Sequence, residues 1–196
     1  LLAGTNTENI SGPSPTATET FTPTDTPTDT PTATATGSPT PGFFATPANL
    51  VSWWRAEGNA NDFVGSNHGT LVNGIGFASG MVGQGFDLNG STQYVYIVGG
   101  NALNPTTAIT VEGWVKVDAL PTGDFWSIIT KDNPGWGPYA LNVSNDGSVS
   151  FSVYTSSWNG VGSPAGVLVP GTFAHVAGTY DAGTGQLCVY FNGSPT

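Results

Sequence analysis

From residue 50 onward, apolar and polar side chains alternate in short runs that are separated by Gly, Asn, Asp and Pro. A repeat of two is the mark of a strand with one face turned to a core. The pattern predicts strands at 50–54, 93–98, 109–117, 126–130, 139–143, 149–154, 172–180 and 186–191. No stretch holds helical spacing for three turns. Many short strands with turn residues between them predict an all-β sandwich. "SNDGS" at 144–148 reads as a tight hairpin, because Asp and Gly tolerate the positive φ values such turns need, and "DAGTG" at 181–185 links the next pair. Asn192-Gly193 is a third hairpin signal, but no alternating run follows it, so the strand ending at Phe191 is expected to lack its neighbour.

Upstream the pattern vanishes. Residues 13–48 are chiefly Thr and Pro with Ala, Ser and a few acids, in a loose repeat, "TPTDTPTDTPTATATGSPTP". Proline removes backbone donors and there is little apolar surface to bury, so this part is expected to be a disordered, extended spacer. Residues 1–12 are read as the end of an upstream module, and 49–196 as the folded domain. With no starting Met and no basic or apolar leader segments, both ends are read as cuts through a longer protein whose other domains are expected partners.

Charge narrows the partners. Thirteen acids against three bases give a formal net charge of -10. Such a surface is repelled by phosphate backbones and anionic leaflets, so neither nucleic acid nor membrane is expected as a partner. No apolar run is long enough to span a bilayer. The hydroxyl- and Asn-rich composition suggests an extracellular or surface protein of bacteria. The single cysteine, Cys188, excludes a disulfide framework, and within "QLCVYF" it reads as a small buried hydrophobe.

Three kinds of chemistry are open. Calcium takes six to eight oxygen ligands in an irregular loop. "EGNANDFVGSNHG" offers Glu57, Asn59, Asn61, Asp62 and Asn67. The same residues also suit a network of Asx turns that cap backbone donors. His68 is read as a hydrogen-bonded loop residue, since oxygen sites do not recruit imidazole. Carbohydrate recognition would use aromatic rings beside Gly and Pro, and Trp126, Trp136, Tyr139 and Trp158 are the candidates, while Trp114 and Trp53 or Trp54 are assigned to the core. Glycoside hydrolysis needs two carboxylates flanking one bond. Glu112 and Asp118 share a strand face but lie about 20 Å apart, so no catalytic residue is assigned.

Five ordered segments, "LVSWWRAEGNANDFVGSNHGTLVNG", "GQGFDLNGSTQYVYI", "ITVEGWVKVD", "IITKDN" and "FAHVAGTYDAGTGQLCVYFNG", together resemble the laminin G-like jelly-roll domains of bacterial secreted proteins, in the concanavalin A-like lectin/glucanase superfamily. Phe173 stands where the family often has Trp. The family's closing strands have no counterpart, so a C-terminally truncated domain is expected. The resemblance implies an antiparallel jelly-roll β-sandwich and a structural Ca²⁺ held by the first loop with an acid from the final strand. It further implies a non-catalytic module that binds carbohydrate or an extracellular protein. The alternative is an accessory domain of a larger secreted hydrolase.

Overall fold

The computed structural model describes residues 47–131 and 138–196. The chain divides into two units, Leu1–Phe44 and Ala45–Thr196, and the described residues belong to the second. The spacer expected over 13–48 and the candidate Trp136 lie outside the described residues, apart from the two spacer positions 47 and 48.

The elements are β1 (Gly69–Val72), β2 (Gly76–Ser79), β3 (Gln84–Asp87), β4 (Tyr94–Ile97), a 3-10 turn (Asn101–Leu103), β5 (Ala108–Val115) and β6 (Phe125–Lys131). They continue with β7 (Tyr139–Ser144), β8 (Val149–Tyr154), β9 (Trp158–Gly162), β10 (Ala174–Asp181), β11 (Gln186–Phe191) and β12 (Ser194–Pro195). Two four-stranded sheets, ordered β12-β11-β10-β5 and β6-β7-β8-β9, carry the fold, with the pairs β1-β4 and β2-β3 beside them. Every pairing is antiparallel. β8 lies against β10 and β11 of the other sheet, which makes the two sheets a sandwich. This is the architecture the alternating pattern implied.

Alternation decides which side chains meet between the sheets. Val111, Val176 and Val189 turn inward from one sheet, and Leu141, Val143, Val149, Phe151 and Val153 from the other, with Leu168 closing the end. The register sets Gly178 between Val111 and Val189, and the Phe151 ring fills the space a side chain at Gly178 would take.

Seven of the eight predicted strands form, with shifted ends. Residues 50–54 do not form a strand and make only the isolated bridge of Trp54 with Asp62. A lone extended run gains no ladder without a neighbour to pair with. The strands that alternation missed are β1, β2, β3, β9 and β12, which are short and Gly-rich or polar, so the repeat is too brief to register. The third hairpin needs correction. Asn192 and Gly193 adopt φ values of 49 and 80° and turn the chain into β12, so β11 does have a neighbour, two residues long.

Candidate functional site

The loop after Trp54 is built around one carboxylate. Asp62 is 5% exposed. Its Oδ1 accepts hydrogen bonds from the Trp53 and Val64 backbone N–H groups at 2.9 and 3.1 Å, and its Oδ2 accepts one from Asn67 N at 3.1 Å. Burial raises the carboxyl's pKa, but the Trp53, Gly65 and Val64 N–H groups and the Ser52 hydroxyl outweigh that and bring it down to about 2. The loop closes on itself elsewhere too. Asp62 N donates to His68 Nδ1, Asn67 Nδ2 to Ser52 Oγ, and Trp54 Nε1 to the Asn67 carbonyl. Asn59 Oδ1 accepts from Asn61 N. His68 is thus the loop hydrogen-bonding residue it was expected to be.

As the loop stands, its oxygens serve the loop's own N–H donors rather than converging on one point. A hard cation needs the lone pairs of Glu57, Asp62 and Asn67 together, yet those of Asp62 already face N–H donors, and Asn67 turns its donor end inward. Glu57 reaches a different place, accepting from Gln84 N at the β2–β3 turn. Among the described residues no group of three or more His, Cys, Asp and Glu side chains is placed to hold a metal. The Asx-turn alternative matches the geometry. We therefore expect the same thermal midpoint with calcium as with a chelator. A calcium-dependent rise, worth about 2.7 kcal/mol at a hundredfold excess over Kd, would refute this.

Three of the four expected aromatic residues, Trp126, Tyr139 and Trp158, are described. Tyr139 is 8% exposed and lies in the core, with its hydroxyl donating to the Leu103 carbonyl at 3.3 Å. Trp126 is half-buried with its ring edge against Gly90. Among the described candidates Trp158 presents an open ring, 42% exposed and edge-on to Tyr154 at 5.7 Å, on the edge strand β9. One core assignment fails, since Trp114 is 49% exposed. Of the pair Trp53 and Trp54, Trp53 is 44% exposed, packed against Phe63 beneath the Arg55 guanidinium, and Trp54 is the half-buried one.

Trp114 leads to a surface that its assignment to the core concealed. On the outer face of the β12-β11-β10-β5 sheet, the register sets His175 beside Trp114, Ala177 between Glu112 and Tyr190, Thr179 between Thr110 and Cys188, and Asp181 between Ala108 and Gln186. Ala177 of the central strand is 6% exposed beneath its neighbours, while Trp114 is half exposed and Tyr190 half-buried. Trp114 meets the His175 ring edge-on at 5.3 Å, and His175 Nε2 lies 4.0 Å from Glu112 Oε2. Asn192 clamps the His175 backbone: its N–H donates to the His175 carbonyl and its Oδ1 accepts from His175 N, each at 2.8 or 2.9 Å. One end of the face opens into a cavity of about 250 Å³ lined by Ala108, Thr110, Thr179, Asp181, Gln186, Cys188 and Tyr190. Cys188 is accordingly a half-buried wall of this cavity rather than part of the core.

An open sheet face with exposed aromatics, hydroxyls and carboxylates, on a β-sandwich of this topology, fits a wide class of binding domains, and the family decides among them. Residues 89–196, over half of the chain, match a laminin G family model described as concanavalin A-like lectin/glucanases superfamily. The chain belongs to that family. Laminin G-like domains are typically non-catalytic binding modules, and the match takes in the whole β12-β11-β10-β5 sheet. The Asp62 loop precedes it. No curated protein and no solved structure matches the chain.

Proposed function

We propose that this laminin G-like domain is a non-catalytic carbohydrate-binding module, displayed or exported as part of a longer protein, and that it binds on the outer face of β5, β10 and β11. The observation that carries the reading is Trp114. Its indole is half exposed near the end of β5, edge-on to His175, and a flat exposed ring is what stacks on the apolar face of a sugar. Around it stand the groups that hydrogen-bond hydroxyls: Glu112, His175, Thr110, Thr179 and Gln186. Few convergent polar groups beside apolar rings are the usual make-up of such sites.

Catalysis has less support. Among the described residues of the face Glu112 pairs with His175, whose backbone is held by Asn192, and no second carboxylate is paired with it as glycoside hydrolysis requires. The test is a panel of soluble xylan, mannan, β-glucan and starch titrated while tryptophan fluorescence is read. Binding without release of reducing ends is expected, and Trp114→Ala weakens it roughly tenfold, the scale of one lost stacking contact in a desolvated site. Equal binding by Trp114→Ala, or product release by the intact protein, removes the reading.

A further inference from the structure

We infer that the Asn192-Gly193 turn is a site of spontaneous deamidation, and that one of its products remodels the outer face around His175. The reaction needs only water and solvent base. The Gly193 backbone N, its proton passed to solvent, attacks Asn192 Cγ, and a five-membered imide forms as the Cγ–Nδ2 bond breaks and Nδ2 leaves as ammonia. Water then opens the ring at either carbonyl, giving aspartate or, with the chain carried through the side-chain carbon, isoaspartate. A following glycine favours the first step, because without a Cβ its N–H is easily approached.

The sequence holds four Asn-Gly pairs, at 73–74, 89–90, 159–160 and 192–193, and both residues of each are exposed, so access to water does not rank them. Hydrogen bonds do. The side chain must swing its Cγ onto the next backbone N, and every bond that holds the amide opposes this. Asn89 Oδ1 accepts from the N–H groups of Ser91, Thr92 and Gln93 at 3.0, 3.0 and 3.2 Å, and its Nδ2 donates to Thr92 Oγ1. Asn159 Nδ2 donates to Thr155 Oγ1 and to the Ser157 carbonyl, and Gly160 is paired with Ser152 in the β8–β9 ladder. Asn73 Nδ2 donates to the Thr92 carbonyl at 2.6 Å, while Gln93 Nε2 clasps the carbonyls of Asn73 and Gly74. Asn192 has a single side-chain bond, its Oδ1 accepting from His175 N at 2.9 Å, and its Nδ2, the leaving group, donates to nothing among the described residues. Gly193 is open as well, since a Cβ there would meet no atom within 4 Å.

The consequence falls on His175. The Asn192 N–H and Oδ1 hold its backbone, and its ring meets Trp114. Aspartate keeps an oxygen on His175 N. Isoaspartate lengthens the chain inside a tight turn whose φ values are 49 and 80°, so the register of Phe191 with Ser194 and the hold on His175 are lost.

The test is incubation in mildly alkaline buffer, folded and in guanidinium, with each pair followed by peptide mass spectrometry and isoaspartyl methyltransferase labelling. In the folded protein Asn192 should convert about fivefold faster than any other pair, the factor that one further hydrogen bond supplies, and in guanidinium that lead should vanish. A faster reaction at another pair, or the same lead in guanidinium, would overturn the assignment. Hydrogen exchange reads the second half: in the isoaspartyl fraction the His175 amide should lose protection relative to fresh protein. Unchanged protection would overturn the remodelling.

Discussion

Gly178→Ala is expected to destabilise the domain by on the order of 3 kcal/mol, a large share of what a domain of this size has to lose. The substitution looks harmless in sequence. Gly178 is not among the glycines with positive φ, so its backbone accepts alanine, and exchanging glycine in a strand would ordinarily stabilise by about 0.5–1 kcal/mol. Packing reverses the sign. A Cβ there would fall within the Phe151 ring, with even Phe151 Cβ only 2.6 Å away. Phe151 is fully buried between the sheets, and Gly178 sits on the central strand with Val111 and Val189 on either side, so neither partner can retreat. Urea denaturation of Gly178→Ala, Phe151→Leu and the double variant checks the cause. If the clash is the cause, the double variant is less destabilised than the two single effects summed. Strict additivity would mean that some other contact is at fault.

Asp62→Ala is expected to cost about 2 kcal/mol, because it leaves the part-buried N–H groups of Trp53, Val64 and Asn67 without their acceptor. The same carboxylate gives the domain an acid limb. Its pKa is near 2 in the folded state against an ordinary 3.8, so the charged form is the one the fold favours. The stability it contributes is therefore complete above pH 5 and is lost as pH falls through the folded value. The gap corresponds to about 2 kcal/mol. Asp146, held down first by the Ser148 hydroxyl and then by the Ser148 N–H, shifts in the same direction, so the wild-type curve alone cannot isolate Asp62. Asp62→Asn does so: its stability should vary less between pH 5 and pH 2 than that of the wild type. Parallel curves for the two proteins would contradict the assignment.

The sandwich was legible because long strands alternate for six to eight residues, enough for the repeat of two to show. The hairpins at Asp146-Gly147 and Asp181–Gly185 were legible because their residues supply the turn themselves. Asp146 Oδ1 accepts from Ser148 N, and Asp181 Oδ1 accepts from the N–H groups of Gly183 and Thr184. The site was read less well, although part of the signal was present. In "TVEGWVKV" the inward positions are Val111, Gly113, Val115 and Val117, so Trp114 shares its parity with Thr110, Glu112 and Lys116. Residue type suggested core, whereas the alternation placed Trp114 outside. The same rule turns Tyr139 inward with Leu141 and Val143. What no sequence pattern gave is lateral register: that Trp114 meets His175, and that Thr110 meets Thr179, depends on the pairing of β5 with β10 across roughly sixty residues of intervening chain. The Asp62 loop was ambiguous for a different reason. Clustered oxygens suit a cation or backbone donors equally, and only the direction of the N–H groups separates the two.

The most direct test compares two tryptophans that residue type ranked the other way, Trp158 as a binding candidate and Trp114 as core. Trp114 lies on the outer face of β5 and Trp158 on the edge strand of the other sheet, each nearly half exposed. Retardation of wild type, Trp114→Ala and Trp158→Ala in gels containing the polysaccharide that the intact protein binds should show the first variant running free and the second retarded like the wild type. Loss of retardation in Trp158→Ala, with Trp114→Ala unaffected, would place the ligand on the β6-β7-β8-β9 sheet and contradict the account.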